Sequence, residues 1–411
     1  MRLLRWATVL IVIAAAPLAA QKPKDAPKRP SLPANADTCD ARAYFTLGMS
    51  VLESEPWKAA DAFYWATRLE PMWPDAVYAR RIALLMTDPV RLSGYMEGNR
   101  GTVRSKAIRE IDALMQRALT LDPFLKRNLD RTLFKYYLRW SYETYVRQSG
   151  GGPAAVDYGL LEHWVESYLS SAPPRIRGWS LATSGRYDEA LKAYAGALGD
   201  RKNTAGVHAE RGRLFHMLGQ DDSAVAEMGR AVAELRESDE KELVYVYESK
   251  ALYEYTTGRI LESVHDYAGA REAYGRALQE DLSYFPAHLR TAALAAAAGD
   301  TAGALSSMEL AIQSKEDDVR LHLGYAALLT LAGRAADAEP HLRQAIALEP
   351  YFAAPYLALG KVLDTLDRPA DAAEQYRAFL ARAPRGNTDR PAVEQRLQAL
   401  GGAKPPSGGA R

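Results

Sequence analysis

The chain has 411 residues, 48% of them hydrophobic and 25% charged, with 52 Lys and Arg against 51 Asp and Glu. A formal net charge of +1 leaves no basic excess to neutralise phosphates, which argues against nucleic acid as a partner. A single cysteine, Cys39, excludes an intramolecular disulfide and any paired-cysteine metal motif.

Met1 to Ala20 reads as a secretory signal peptide: Arg2 and Arg5 lead an apolar stretch from Trp6 to Ala16, and Leu18-Ala19-Ala20 precede Gln21. The apolar stretch falls short of the roughly 20 residues of a membrane helix. An uncleaved anchor is the rival reading, and either way the expected location is periplasmic or extracellular. Residues 21–40 carry prolines and basic residues with little apolar bulk and read as a linker.

From Ala41 the apolar spacing becomes helical. Tyr44, Leu47, Gly48 and Val51 mark one helix, and Ala59, Phe63 and Ala66 mark a second that ends before Pro71. A helix over 75–86 is expected to pair with one over 105–121. The intervening 87–104, with Arg91, Arg100 and Arg104 around Tyr95, reads as an inserted loop. A long helix over 125–147 carries the stripe Phe134, Tyr137, Ser141 and Tyr145, read as core between helices. Gly150 to Pro153 breaks the chain, a helix follows over 154–170, and Pro173-Pro174 ends it. The region 41–174 thus reads as irregular helix pairs with insertions.

Beyond Arg175 a ladder appears. Ala190 and Ala224 are 34 residues apart, as are Ala270, Ala304, Ala338 and Ala372 in turn. Twelve positions before each stands Gly178, Gly212, Gly258, Ala292, Ala326 or Gly360, where two helix backbones must approach closely. Four positions after each stands Tyr194, Met228, Tyr274, Met308, Leu342 or Tyr376. This divides the remainder into two repeats over 175–237, a regular array over 238–386, a capping helix over 387–400 and a tail over 401–411 that its composition predicts to be disordered. The blocks are offset by 46 residues, one repeat plus 12, and the extra residues in 234–251 are expected to lengthen the helix carrying Leu243, Tyr247, Ala251 and Tyr255.

The unit from Pro350 to Pro384, with Tyr356, Leu359, Gly360 and Leu363 followed by Ala372, Tyr376 and Phe379, resembles the tetratricopeptide repeat. The resemblance implies an all-α, right-handed helix-turn-helix superhelical solenoid that grows by stacking neighbours. It also implies a protein-interaction scaffold holding a peptide or helix in a concave groove lined by the first helices. Carried onto this sequence, that groove holds Leu289, Arg290, Ala293, Ala296, Arg320, Leu323, Ala327 and Lys361. The Lys and Asn of the carboxylate-gripping version are absent there, so an apolar peptide or helix is the expected partner. A superhelix tight enough to fill the groove with its own side chains is the alternative.

No HExxH, phosphate-loop or GxSxG pattern occurs. His288 and His322 occupy equivalent slots 34 residues apart, but the slot holds Tyr356 one repeat later, which favours packing over metal ligation. The sequence therefore implies no catalytic residue, cofactor or metal. The competing reading is an enzyme or small-ligand-binding protein with its site in the irregular region 87–174.

Overall fold

The computed structural model describes residues 26–96, 106–152, 156–199, 204–237 and 249–402, which form helices joined by turns and no strand. Helix α1 (Ala41–Val51) pairs with α2 (Pro56–Leu69). The next helix, α3 (Pro74–Met86), is followed by the short α4 (Pro89–Met96) and pairs with α5 (Lys106–Leu121). Then come α6 (Leu129–Gln148) and α7 (Tyr158–Ser171). Two regular pairs follow: α8 (Pro174–Thr183) with α9 (Tyr187–Ala197), and α10 (Ala205–Met217) with α11 (Asp221–Glu237). Four more complete the array: α12 (Lys250–Ser263) with α13 (Tyr267–Glu280), α14 (Phe285–Ala297) with α15 (Thr301–Ser314), α16 (Val319–Leu331) with α17 (Ala335–Leu348), and α18 (Ala354–Thr365) with α19 (Pro369–Leu380). A last helix, α20 (Arg390–Gly402), covers α19 through Val393 and Leu397.

Local chemistry sets these boundaries. Proline stands in the first turn of α2, α3, α8, α14, α18 and α19, where no amide donor is needed. Asp40, Asp266, Asp300 and Asp318 cap α1, α13, α15 and α16 by accepting from backbone N–H groups two or three residues on. Between the helices of each regular pair the chain passes through one left-handed residue: Gly185, Gly219, Gly299 and Gly333 in four pairs. In the other two, His265 (φ 65°) and Asp367 (φ 56°) take that conformation. The residue after each donates its N–H back to a carbonyl five residues earlier, as Asp300 does to Ala295 and Arg368 to Leu363, which turns the chain sharply.

Inside each pair the ladder positions touch. All six alanines of the second helices are fully buried. A Cβ placed on Gly178 would sit 2.6 Å from Tyr194, and one on Gly360 would sit 2.5 Å from Tyr376. Gly48 faces Phe63 in the same way. Alanine stands at Ala292 and Ala326, where the repeat-equivalent residues of the second helix are Met308 and Leu342, whereas every tyrosine at that position, and Met228, faces a glycine. A ring on the second helix thus requires glycine on the first.

Three expectations need correction. Residues 87–104 include a helix, α4, where a loop was expected, while Arg100 and Arg104 lie outside the described residues. Ser249 is extended and caps α12 through its hydroxyl, so that helix starts at Lys250 and does not continue upstream; Leu243 and Tyr247 lie outside the described residues. The described part of the linker does not run free. Trp65 Nε1 donates to the Pro27 carbonyl at 3.1 Å, and the Arg29 guanidinium lies over the rings of Tyr44 and Trp65. The expected signal peptide, residues 1–20, lies outside the described residues.

Gly360→Ala should destabilise the protein by about 1–3 kcal/mol, because the added methyl must displace the Tyr376 ring. Tyr376→Leu in the same chain recreates the Ala326–Leu342 arrangement and should recover part of that loss. Chemical denaturation of the two single variants and the double variant checks this, and strict additivity contradicts it.

Candidate functional site

The first helices of the regular pairs present equivalent side chains in rows. One row runs Trp179, Arg213, Arg259, Ala293, Ala327, Lys361, and another runs Tyr255, Leu289, Leu323, Leu357. The two rows meet different fates along the array.

Upstream, the face is occupied by the chain itself. The segment Thr120–Arg131 leaves the end of α5 and crosses α12, α10 and α8 in turn. Tyr255 Oη donates to the Thr120 carbonyl at 3.1 Å. The Phe124 ring lies 3.9 Å from that of His216, centre to centre. Arg127 pairs with Glu210, which also accepts from Arg213 at 2.7 Å. Arg131 donates to Ser180 at 2.8 Å and Ser184 at 3.2 Å, and its other nitrogen binds Glu166. Burial opposes ionisation of Glu210, but Arg127 and Arg213 outweigh it and hold the carboxyl below its usual range. α6 starts only at Leu129, later than its spacing suggested: Pro123 and Phe124 form a turn after α5, and residues 125–128 are non-helical along this face. A 370 Å³ cavity remains beneath the segment, between Phe124, Trp179, Tyr194 and Met217.

The edge of the N-terminal pairs then runs along the edge of the C-terminal ones. Trp65 meets Tyr351 edge to face at 4.9 Å, and Met72 packs with Val319 and Phe352. Arg68 pairs with Glu349 at 2.9 Å. Asp37 accepts from the Arg385 amide, and the Cys39 thiol donates to the Ala381 carbonyl at 3.5 Å. Glu349 is the costly member of this seam. Burial pushes its carboxyl up to about 7 in spite of Arg68 and Arg117 nearby. A 450 Å³ cavity adjoins it, lined by Arg117 of α5 and by Tyr284, Asp318 and Arg320 of successive turns.

Downstream, the face is open. Ala293, Ala327 and Lys361 are exposed and Ala296 is partly so. Beside them Leu331 of α16 is 75% exposed. The other sequence-derived residues are already engaged. Leu289 and Leu323 are half-buried against the core. Arg290 binds Glu262 of the preceding pair through two nitrogens, at 3.0 and 2.5 Å. Arg320 binds Asp318 and lies over Phe285, with its side chain nearly buried. The structure therefore brings Ala293, Ala296, Ala327 and Lys361 to one open face and commits both arginines to holding the array together.

The histidine slot has a structural use. His288 Nε2 reaches the Leu282 carbonyl at 3.1 Å and His322 Nε2 the Glu316 carbonyl at 2.8 Å; Tyr356 Oη donates to the Pro350 carbonyl at 3.0 Å. Each spans six residues and ties a first helix to the turn before it. The aromatic stripe of α6 is half-buried and not fully core, and Tyr145 is exposed. What sequence reasoning missed is the occupant, Thr120–Arg131. The signal available was Pro123 followed by Phe124, Arg127 and Arg131 in a stretch the repeat pattern does not require.

No protein-family model matches the chain, and no curated protein does. Solved structures do. One is the C-terminal part of a TPR repeat-containing protein from Cytophaga hutchinsonii, at 14% identity and TM-score 0.43, covering 56% of this chain and 96% of that one. YrrB, described as a TPR protein with an unusual peptide-binding site, is 16% identical over 51% of this chain and 98% of its own, at TM-score 0.38. MamA from Desulfovibrio magneticus RS-1 is 16% identical over 44% and 95%, at TM-score 0.36. The fold is a tetratricopeptide-type solenoid. That statement rests on this chain's own helix pairs, their 34-residue register and the glycine-aromatic contacts within them. Among the described residues no helix is long and apolar enough to cross a membrane.

The Glu349 carboxyl, raised in the folded chain from 4.5 to about 7, binds more protons folded than unfolded between those values. Its contribution to stability is complete below pH 4.5 and is lost as pH rises through 7, by on the order of 3 kcal/mol at most. Glu349→Gln should flatten this part of the stability-versus-pH curve. An unchanged slope between pH 5 and 8 contradicts the role given to Glu349.

Proposed function

We propose that the chain is an exported interaction scaffold that holds an apolar peptide or amphipathic helix on the open downstream part of its first-helix face. One observation carries the reading: the same face, one to three repeats upstream, already holds a segment of polypeptide. Tyr255 touches Thr120 there, and its repeat equivalents downstream are Leu289, Leu323 and Leu357. Trp179 and Arg213, which line the cavity under that segment, have Ala293, Ala327 and Lys361 as their equivalents. Replacing large and charged groups by alanine changes the chemistry from a charged, aromatic seat to a shallow apolar one. Small residues let a helix backbone come close, and the leucine row beneath supplies apolar contact. Lys361 then marks a basic margin at the downstream end, and a partner helix ending in acidic residues fits that polarity.

Export is supported by the pattern of Met1 to Ala20, and an interaction role suits a repeat solenoid of this length. An enzymatic or small-ligand role in 87–174 has no comparable support, since the groups that meet there, Arg131 with Glu166 and Tyr78 with Asp130, are ion pairs and hydrogen bonds between helices.

A photoreactive residue at position 327 should trap a partner in intact cells, whereas one at Glu272, on an exposed face of α13, should not. Ala327→Arg should abolish the adduct at 293 without changing the helical circular dichroism, because Ala327 is exposed. Equal trapping at 327 and 272 counts against the face. Separately, the exported chain should begin at Gln21 when its N-terminus is sequenced, and recovery of the chain with Met1 intact in the cytosol counts against export.

A further inference from the structure

We infer that helix α7 is a self-association surface, and that two copies of this chain pair through it about a two-fold axis at Trp164. The helix is turned the wrong way round for a surface helix. Its two central acids face its own chain: Glu162 binds Lys135 at 2.5 Å, and Glu166 binds Arg131 at 2.6 Å and Lys135 at 3.1 Å. Val165 and Leu169 are its buried residues. Its large apolar side chains point outward, with Leu160 60% exposed, Trp164 54% and Tyr168 38%. At about 100° per residue these three lie within one strip, with Ser167 and Ser171 beside them and no charged residue among them.

Such a strip, on a chain whose residues are 25% charged, marks a face that something covers. Three features favour a second copy. The strip is palindromic: Leu160 and Tyr168 stand four residues either side of Trp164, and Trp164 lies at the middle of α7. Antiparallel pairing therefore sets Trp164 against Trp164 of the second copy and Leu160 against its Tyr168, as an isologous contact requires. The strip holds no charge, so superposing it on itself brings no like charges together, and the nearby acids are already neutralised by Lys135 and Arg131. The rings of Trp164 and Tyr168 are stacked on each other, with centroids 5.9 Å apart, which holds both side chains in one arrangement and lowers the ordering cost of meeting a copy of the same strip. The three side chains leave roughly 300 Å² uncovered per copy, the size of a functional patch and less than a permanent interface needs, so the dimer is a dissociating one. Its location also suits this use. α7 sits where the regular ladder is interrupted, and its main helix contacts among the described residues are with α6 and α8.

Sedimentation velocity of the full chain, at concentrations up to about 100 μM, should show a monomer–dimer equilibrium. Trp164→Gln should weaken it at least about tenfold with circular dichroism unchanged. In a Cys39→Ser background, Trp164→Cys should form a disulfide-linked dimer on mild oxidation, because that position lies on the axis. Tyr168→Cys should cross-link to Leu160→Cys in a mixture of the two and far less to itself. A chain that stays monomeric at the highest concentration overturns the inference, as does a dimer that Trp164→Gln leaves intact. Monomer that instead floats with phosphatidylcholine vesicles overturns it in favour of a lipid surface.

Discussion

The structure depends on how closely the two helices of a pair can approach. That distance is set where a glycine or alanine of the first helix lies under an aromatic, methionine or leucine of the second. The match is local. Gly178, Gly258 and Gly360 each lie beneath a tyrosine, Gly212 beneath Met228, while Ala292 and Ala326 lie beneath Met308 and Leu342. Because each pair fixes its own spacing, pairs stack in register, and the first helices align into a face with repeating positions. Without this contact there would be no rows, and nothing for the upstream segment or a partner to lie on.

The rows are then used in two ways by one chain. In α8, α10 and α12 they carry groups that bind the segment Thr120–Arg131, and the seam from Asp37 to Arg117 carries the closure on to the last pairs. In α14, α16 and α18 the exposed row carries Ala293, Ala327 and Lys361 and remains uncovered. The charged groups follow this division. At Glu210 two arginines outweigh burial where the segment is bound, whereas at Glu349, in the seam, burial outweighs Arg68 and Arg117 and pushes the carboxyl up to about 7. Arg290 and Arg320, beside the open face, are already engaged: Arg290 binds Glu262 of the preceding pair, and Arg320 binds Asp318 of its own turn while lying over Phe285 of the preceding pair.

Much of this was legible in the sequence because it repeats. Alanines at 34-residue spacing named every second helix of the regular array, and the glycines twelve before them named the close contacts. The turns carry Gly185, Gly219, Gly299 and Gly333, and His265 and Asp367 show that the turn imposes its conformation even where the residue resists it. What was not legible is whatever pairs residues far apart in the chain. The contact of Phe124 with His216 and that of Trp65 with Tyr351 leave no periodic trace, since each is made once. The same holds for α4 and for Ser249, whose roles come from interruption of the pattern. Register assigns Leu289 and Arg320 their positions in the repeat, but it does not report that a neighbouring turn or an earlier helix has already claimed the side chain.

The central claim is that the first-helix face is divided, filled upstream by the chain itself and open downstream. Cross-linking of Phe124→Cys with His216→Cys by a short bifunctional thiol reagent, in a Cys39→Ser background, tests it most directly. The account predicts nearly complete intramolecular cross-linking in the isolated protein, because the two rings are in contact, centre to centre at 3.9 Å, and the reagent spans the gap that two shorter side chains leave. Failure of the pair to cross-link, in a chain whose circular dichroism is unchanged, would mean that the segment does not occupy the face and would contradict the account.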